Sequence, residues 1–294
     1  MKEHAVIYPV EKMSVVLKVS SSGYYKWLGT PVGKREKDNI ILLKNIQRVY
    51  DASKKRYGSP RIAASLKLEG IAASRPRIAR LMSKNNICSI TRKKYRNTTD
   101  SNHDHIVPEN HLNRDFVAVE LAQKWVGDIT YIPTGEGWLY LASVIDLADR
   151  QVVGWSMADN MTARDTTVAA WNMAVKNRPI VKELLFHSDR GVQYACGEFC
   201  NVFDGLPIVQ SMSRKGNCWD NAVAESFFKT IKTELIYHRK FTTRAEAKLE
   251  IFDYIEVWYK KNRFHSALGY LTPKAFEQAI ISKRKRETRM QNET

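Results

Sequence analysis

The 294-residue sequence has no apolar run approaching the ~18 residues that a membrane-spanning helix needs. Its opening, MKEHAVIYPVEK, has neither the apolar stretch nor the small-residue cleavage site of a secretory signal. Cysteine is scarce: Cys88, Cys196, Cys200 and Cys218 in a chain this long make no disulfide framework, and reduced thiols in a cytoplasmic protein are expected. Acidic residues are also in deficit, with 31 Asp+Glu against 47 Lys+Arg and a net charge of +16. The imbalance is local. Residues 1–115 hold 23 basic and 10 acidic residues, whereas residues 116–294 hold 24 and 21. A basic front joined to a nearly neutral back suggests a polyanion-binding arm attached to a different machine. With 44% hydrophobic residues, the chain can build a true core.

The front reads as helices. VEKMSVVLKV suggests a short one, and Ser20 to Ser22 offer a cap for the next. Residues 37–56 place Ile40, Leu43, Ile46 and Tyr50 at helical spacing. In YGSPRIAASLKLEGIAASRPRIARLM, Ser59 is placed to cap a helix with Pro60 at its first position, and Gly70 to end it. Ser74 is then expected to cap a second helix through Met82. Helix, glycine turn and basic helix form the pattern of a helix-turn-helix, although helical hairpins also occur without DNA. Arg61, Arg75, Arg77 and Arg80 are the candidate DNA contacts, with a solvated helix face as the alternative for each. Residues 91–118 are polar and basic, suited to a linker along a phosphate backbone. His103, His105 and His111 lie there without a cysteine pair, which argues against structural zinc.

From Trp125 the texture changes to strands: WVGDITYIP, WLYLASVIDL and QVVGWSM, separated by turn signals at Thr134–Gly137 and Ala148–Arg150. A helix from about Thr162 to Lys176, a strand LLFHSD, a helical piece at 197–204 and a strand LPIVQSM follow. Helices are expected from about Asp220 to Tyr237 and from Arg244 to Asn262, and the C-terminal ISKRKRETRM reads as a mobile basic tail. Consecutive strands followed by alternating helix and strand give an α/β mixed sheet with flanking helices.

Three carboxylates sit where a core would not want them. Asp128 lies inside the first strand, Asp189 ends the fourth in FHSDRG, and Glu225 is on a helix among Ala and Phe. A buried carboxylate must be paired or bind a metal, and any one of these could be a strand-end cap or an ion-pair member. Together, three hard oxygen donors from separate elements suit two Mg²⁺ or Mn²⁺ ions about 4 Å apart, the arrangement for in-line displacement at phosphorus. Asp146 reads as structural, capping the turn at Ala148–Arg150. His187 suits either the site or the core, and Gln193 and Tyr194 are placed to meet DNA. Gly216–Asn221 reads as a mobile DNA-facing loop in which Asp220 or Asn217 caps the next helix. Cys196 and Cys200 read as core thiols, and Trp138, Trp155 and Trp171 as core.

The order strand Asp, strand-end Asp, helix Glu, with 35 residues between Asp189 and Glu225, resembles the DDE transposases and retroviral integrases, which share an RNase H-like fold. WVGDITYI, LASVIDLADRQVVGW, HSDRGVQY, SRKGNCWDNAVAESFF and NRFHSALGYLTP resemble the second open reading frame product of bacterial insertion-sequence family three transposases, over nearly the whole chain. Ala148 and Asp149, after IleAspLeu, depart from that pattern. The resemblance implies an RNase H-like integrase core at 119–240, after an all-α helix-turn-helix region at 1–90 and a linker at 91–118, with a C-terminal helix and tail at 241–294. It makes Asp128, Asp189 and Glu225 the metal ligands and Lys232, seven residues on and on the same helix face, an accessory phosphate contact. It implies metal-dependent cleavage and strand transfer of the element's DNA ends in the bacterial cytoplasm, at the nucleoid, without a covalent enzyme–DNA intermediate. Implied partners are double-stranded DNA, further copies of the chain on that DNA, and an upstream-frame protein, fused or separate, that this chain is expected to lack. Two other functions compete: a non-catalytic DNA-binding regulator of transposition, and a general RNase H-type nuclease. The intact carboxylate set argues against the first, and the basic arm with Lys232 against the second.

Phosphate neutralisation releases counterions, so DNA affinity should fall steeply with salt. Between about 50 and 200 mM salt we expect a loss of about a hundredfold or more in a filter-binding titration; affinity that barely changes across the series would contradict the polyanion-binding arm.

Overall fold

A computed structural model describes residues 1–30, 33–90 and 107–292, which fall into two compact units, Met1–Ser89 and Ile90–Thr294. The first unit is helical: α1 (Val10–Val16), α2 (Ser21–Gly29), α3 (Lys34–Ala52), α4 (Ser59–Leu68) and α5 (Arg75–Lys84). Ser20 caps α2 by accepting from the Gly23 amide at 3.1 Å, and Ser74 caps α5 by accepting from the Arg77 amide. One expected cap moves. Gly58 is the cap residue of α4, and Ser59 and Pro60 are its first two helical residues, so no side chain caps this end. Its other end is closed by Gly70 at φ 78°, where the Gly70 amide reaches Lys67 O and the Ile71 amide reaches Leu66 O. This paired closure needs a left-handed residue, which glycine supplies without strain. Helices α3, α4 and α5 pack together through Ile46, Ile62, Leu66, Ile78 and Met82, all buried.

The second unit is built on five strands, β1 (Lys124–Thr134), β2 (Gly137–Asp146), β3 (Val152–Ala158), β4 (Leu184–Ser188) and β5 (Ile208–Met212), in the order β3-β2-β1-β4-β5. The first three form an antiparallel meander; β4 and β5 join it in parallel. This is the mixed sheet expected of the RNase H-like class. Between β3 and β4 lie a π-helical turn (Arg164–Val168) and α6 (Ala169–Asn177). After β4 come the short α7 (Val192–Ala195) and α8 (Gly197–Cys200), and after β5 a 3-10 turn (Cys218–Asn221) and α9 (Ala222–Glu234). The chain ends in α10 (Arg244–Phe252), a π-helical segment (Asp253–Asn262) and α11 (Pro273–Asn292). One core cluster joins Trp125, Val144 and Phe186 of the sheet to Trp171, Tyr194 and Phe199 of the helices. Trp171 meets Phe186 edge-on at 5.2 Å between ring centres, the favoured aromatic geometry.

Several expectations change. The C-terminal basic segment is not a tail but the second half of α11. Its residues are good helix formers, and Lys283 and Glu287 form an i,i+4 pair at 3.8 Å. Trp171 is core and Trp155 is half-buried, donating Nε1–H to Glu256 at 2.9 Å, but Trp138 is 53% exposed at the mouth of the β1–β2 hairpin, edge-on to Tyr131. Much of the expected linker, with His103 and His105, lies outside the described residues. Its last part is tied to the core instead of lying free: the His111 and Leu112 amides both donate to Ser211 Oγ of β5.

Helix α6 sits so close to β3 that a Cβ on Gly154 would stand 2.1 Å from Ala170 O and 2.6 Å from Ala174 N, both backbone atoms. Gly154→Ala should therefore cost about 2 kcal/mol in urea unfolding. Gly197→Ala, where a Cβ meets nothing within 4 Å, should stay within about 0.5 kcal/mol of wild type; equal stability for the two variants would contradict the close approach.

Candidate active site

The site begins with strand register. Parallel strands β1 and β4 pair Gly127 with Ser188, where the pairing ends. The next residue on each chain is an aspartate, so Asp128 and Asp189 emerge side by side, about one strand spacing apart. Each has one carboxylate oxygen oriented locally: Asp128 Oδ1 accepts from the Ile129 amide at 2.8 Å, and Asp189 Oδ1 from the Gly191 amide at 2.9 Å.

The third carboxylate arrives by a separate device. Asn221, immediately before α9, donates Nδ2–H to Gly127 O at 3.0 Å in a buried bond. That bond docks the start of the helix onto the residue beside Asp128. Glu225 is four residues on, above Asn221 on the same helix face, and α9 packs along β1.

Electrostatics show that the groups share one environment. The Asp128 carboxyl is pushed well above the usual range, first by burial, then by the charge of Asp189, with a smaller push from Glu225. Glu225 is raised by burial and then by Asp189. Lys232 is lowered by burial and held up by Asp128. The structure thus brings Asp128, Asp189 and Glu225 into electrostatic reach of one another, and Lys232 into reach of Asp128. Among the described residues, no three His, Cys, Asp or Glu side chains stand close enough together to hold a metal ion as they are placed. The donor chemistry fits a hard divalent cation, because the site concentrates carboxylate charge that its neighbouring lysines only partly offset.

Helix α9 is clamped at both ends. Asp220, fully buried, was expected to cap the helix; it makes no such bond. It accepts from Asn110 Nδ2 at 2.8 Å, Arg114 Nε at 2.8 Å, and Arg214 through its amide, Nε and Nη2 at 3.0, 2.9 and 2.8 Å. These donors hold its carboxyl far below the usual range, with Arg214 contributing most. Asn217 is not a cap either; its Oδ1 accepts from Arg114 Nη2 at 2.8 Å. At the far end, Glu234 accepts from Tyr254 Oη–H, Trp258 Nε1–H and Arg263 Nε–H at 2.9, 3.2 and 3.0 Å. Sequence reading missed Arg114, Arg214, Asn221 and Glu234. Their signal was a set of polar residues bracketing an apolar helix, which also describes ordinary solvated turns.

Other expected residues sort clearly. Asp146 is structural: Oδ1 caps the turn through the Ala148 amide at 2.9 Å, and Oδ2 takes the Ala122 amide, Trp125 Nε1 and Arg178 Nη1. Asp149, the departure from the resembled pattern, is buried and shares Arg178 at 2.8 Å. Gln193 bonds Met161 O at 3.3 Å. Tyr194 was expected at the DNA surface but is only 2% exposed, packed on Phe186 and Phe199. Its hydroxyl is raised well above the usual value by burial and then by the charges of Asp128 and Asp189, so the buried ring lies within electrostatic reach of both. In the helical unit, Arg75 and Arg80 are exposed, Arg61 lies over the Tyr57 ring at 5.8 Å, and Arg77 Nε donates to Asn39 at 2.9 Å, bracing α5 on α3.

His187 belongs to the core. Its ring nitrogens lie 2.8 Å from Ser211 Oγ and 3.2 Å from Ser213 Oγ, and burial lowers its pKa to about 4. A lowered folded pKa means full stabilisation above the unfolded value, ~6.5, and loss as pH falls toward the folded one. The stability gap between wild type and His187→Gln should therefore narrow by up to about 3 kcal/mol on going from pH ~7 to ~4, measured by urea midpoints; a constant gap would show that His187 is not held neutral.

Comparison with known proteins completes the assignment. Residues 119–218 match the family model of an integrase core domain, residues 206–273 match a second integrase core domain model, and residues 36–95 match an HTH-like domain. The chain is 36% identical over 289 residues to the transposase InsF for insertion sequence IS3A of Escherichia coli (strain K12), covering 96% of this chain and 98% of that one. It is 38% identical over 266 residues to an insertion element IS600 uncharacterized 31 kDa protein of Shigella sonnei, covering 90% and 97%. Among solved structures, it is similar to the HTLV-2 integrase catalytic core domain in complex with magnesium, at TM-score 0.40 and 14% identity, covering 59% of this chain and 99% of that one. The integrase core match and the 36% identity to a transposase over nearly the whole length of both chains agree: the chain belongs to the IS3 family of insertion-sequence transposases, DNA transposases with an integrase core.

Proposed function

We propose that Asp128, Asp189 and Glu225 are the catalytic carboxylates of metal-dependent cleavage and strand transfer at the element's DNA ends. The observation that carries this reading is the convergence of the three groups by two independent devices, the β1–β4 register and the Asn221–Gly127 bond. The three would hold two Mg²⁺ or Mn²⁺ ions, which supply charge stabilisation for the attacking and leaving oxygens of an in-line phosphoryl displacement. The protein's own part is positional. The local amide bonds orient Asp128 and Asp189, the clamps on α9 fix the height of Glu225, and the ring of Tyr194 lies buried within electrostatic reach of Asp128 and Asp189. Lys232 is the phosphate contact, on the same helix face as Glu225 and in reach of Asp128. Metal binding is expected to be weak without DNA, whose phosphate supplies further oxygen ligands for the cations.

The helical region to about residue 90 binds the element's ends through Arg61, Arg75 and Arg80 as phosphate contacts, with Arg77 supporting α5. Residues 91–118 link it to the catalytic core at 119–240, and 241–294 brace that core. The working assembly is a homo-oligomer on double-stranded DNA in the bacterial cytoplasm, with an upstream-frame segment, fused or separate, as a further partner.

The test is a strand-transfer assay with Mg²⁺ or Mn²⁺ on DNA carrying the element's ends. Glu225→Gln should lower joined product by about a thousandfold while DNA affinity stays within about twofold of wild type. Product at the wild-type level from the variant would remove Glu225 from the site.

A further inference from the structure

The turn that delivers α9 carries a side chain that the catalytic reading does not use. Trp219 is 69% exposed. Exposed tryptophans elsewhere in the chain have ring partners: Trp27 lies against Tyr24, and Trp138 against Tyr131. Among the described residues Trp219 has neither a ring partner nor a hydrogen-bond partner. Nor is it on a loose loop. It sits in the 3-10 turn Cys218–Asn221, immediately before two firmly held residues. Asp220, next in sequence, is locked by Asn110, Arg114 and Arg214, and Asn221 by Gly127 O. The chain that follows Trp219 is therefore held, while its side chain stands exposed to solvent.

The neighbourhood favours a nucleic-acid base as the missing partner. Trp219 is six residues before Glu225 and two before the residue bonded to the strand beside Asp128. Arg214 and Lys215 lie a few residues earlier; the Arg214 guanidinium is held by Asp220, and the exposed Lys215 suits a phosphodiester backbone. An exposed indole near a cation is the composition of a stacking platform for unpaired bases. An unpaired base leaves its face in water unless an aromatic ring covers it.

We propose that Trp219 is a base-stacking residue that holds an unpaired base of the DNA beside the carboxylate site. The proposal rests on the transposase reading for its substrate, and the aromatic mount is tested apart from the chemistry. Binding is measured by fluorescence anisotropy with two probes, a single-stranded oligothymidylate and an abasic backbone of the same length. Phosphate contacts are common to both probes, so only stacking separates them. Wild-type protein should bind the oligothymidylate about tenfold more tightly than the abasic strand. Trp219→Ala should bind both with the abasic affinity, and Trp219→Phe should keep most of the preference. Because the side chain is exposed, both variants should melt with wild-type protein. A base preference retained in full by Trp219→Ala overturns the proposal, whatever the variant does in strand transfer. If instead Trp219→Ala loses the preference while Glu225→Gln still joins DNA, stacking stands and the catalytic assignment falls.

Discussion

The candidate site depends on a single buried hydrogen bond, from the Asn221 side-chain Nδ2–H to the carbonyl of Gly127. Two of the three carboxylates are adjacent by register and need no further help. The third is on a helix, and a helix can slide or rotate against a sheet unless something fixes it. The bond sets where α9 starts, and the four-residue helical repeat then sets where Glu225 stands. Clamps at Asp220 and Glu234 turn that contact into a fixed axis, since a rod held near both ends cannot roll. The catalytic spacing in sequence thus has a physical meaning: 35 residues carry the chain from the end of β4, through β5 and the clamped turn, onto the helix.

The unit uses carboxylates in two opposite ways. Asp146, Asp149, Asp220 and Glu234 are buried or nearly so, and each is paired with arginine: Arg178 serves the first two and Glu277 of α11, Arg114 and Arg214 the third, Arg263 the fourth. Charge removed from water is met by charge and by hydrogen bonds, as burial demands. Among the described residues, no arginine is among the groups that shift Asp128 or Glu225. Their strongest electrostatic neighbours after burial include Asp189, another carboxylate, and both are raised. Burial and mutual repulsion therefore disfavour the charged forms of Asp128 and Glu225, a penalty that a bound cation would relieve.

How much of this could be read from sequence follows from the range of the interactions. All five strands and the meander were legible, because alternating or continuous apolar runs bounded by turn residues are local signals. Asp128, Asp189 and Glu225 stood out because each interrupts apolar text. The caps at Ser20 and Ser74 were legible for the same local reason, and the cap near Ser59 slipped by one residue because Gly58 and Ser59 are both acceptable there. What stayed hidden was long-range. Nothing near Asp220 announces Asn110 or Arg114, more than a hundred residues earlier, so a helix cap was the natural local reading. Tyr194 looked like a surface residue because it follows a polar turn, but it folds back on Phe186 and Phe199. The basic C-terminal segment looked like a tail because charge dominates it, although its helix-forming residues continue α11.

The central claim is that these three carboxylates hold the divalent cations of the reaction. The most direct measurement is anomalous scattering from crystals of the protein–DNA complex grown with Mn²⁺. The account predicts density peaks coordinated by Asp128, Asp189 and Glu225 together, in front of the end of β4. Peaks at other residues, or coordination that omits Glu225 while DNA occupies the site, would contradict it.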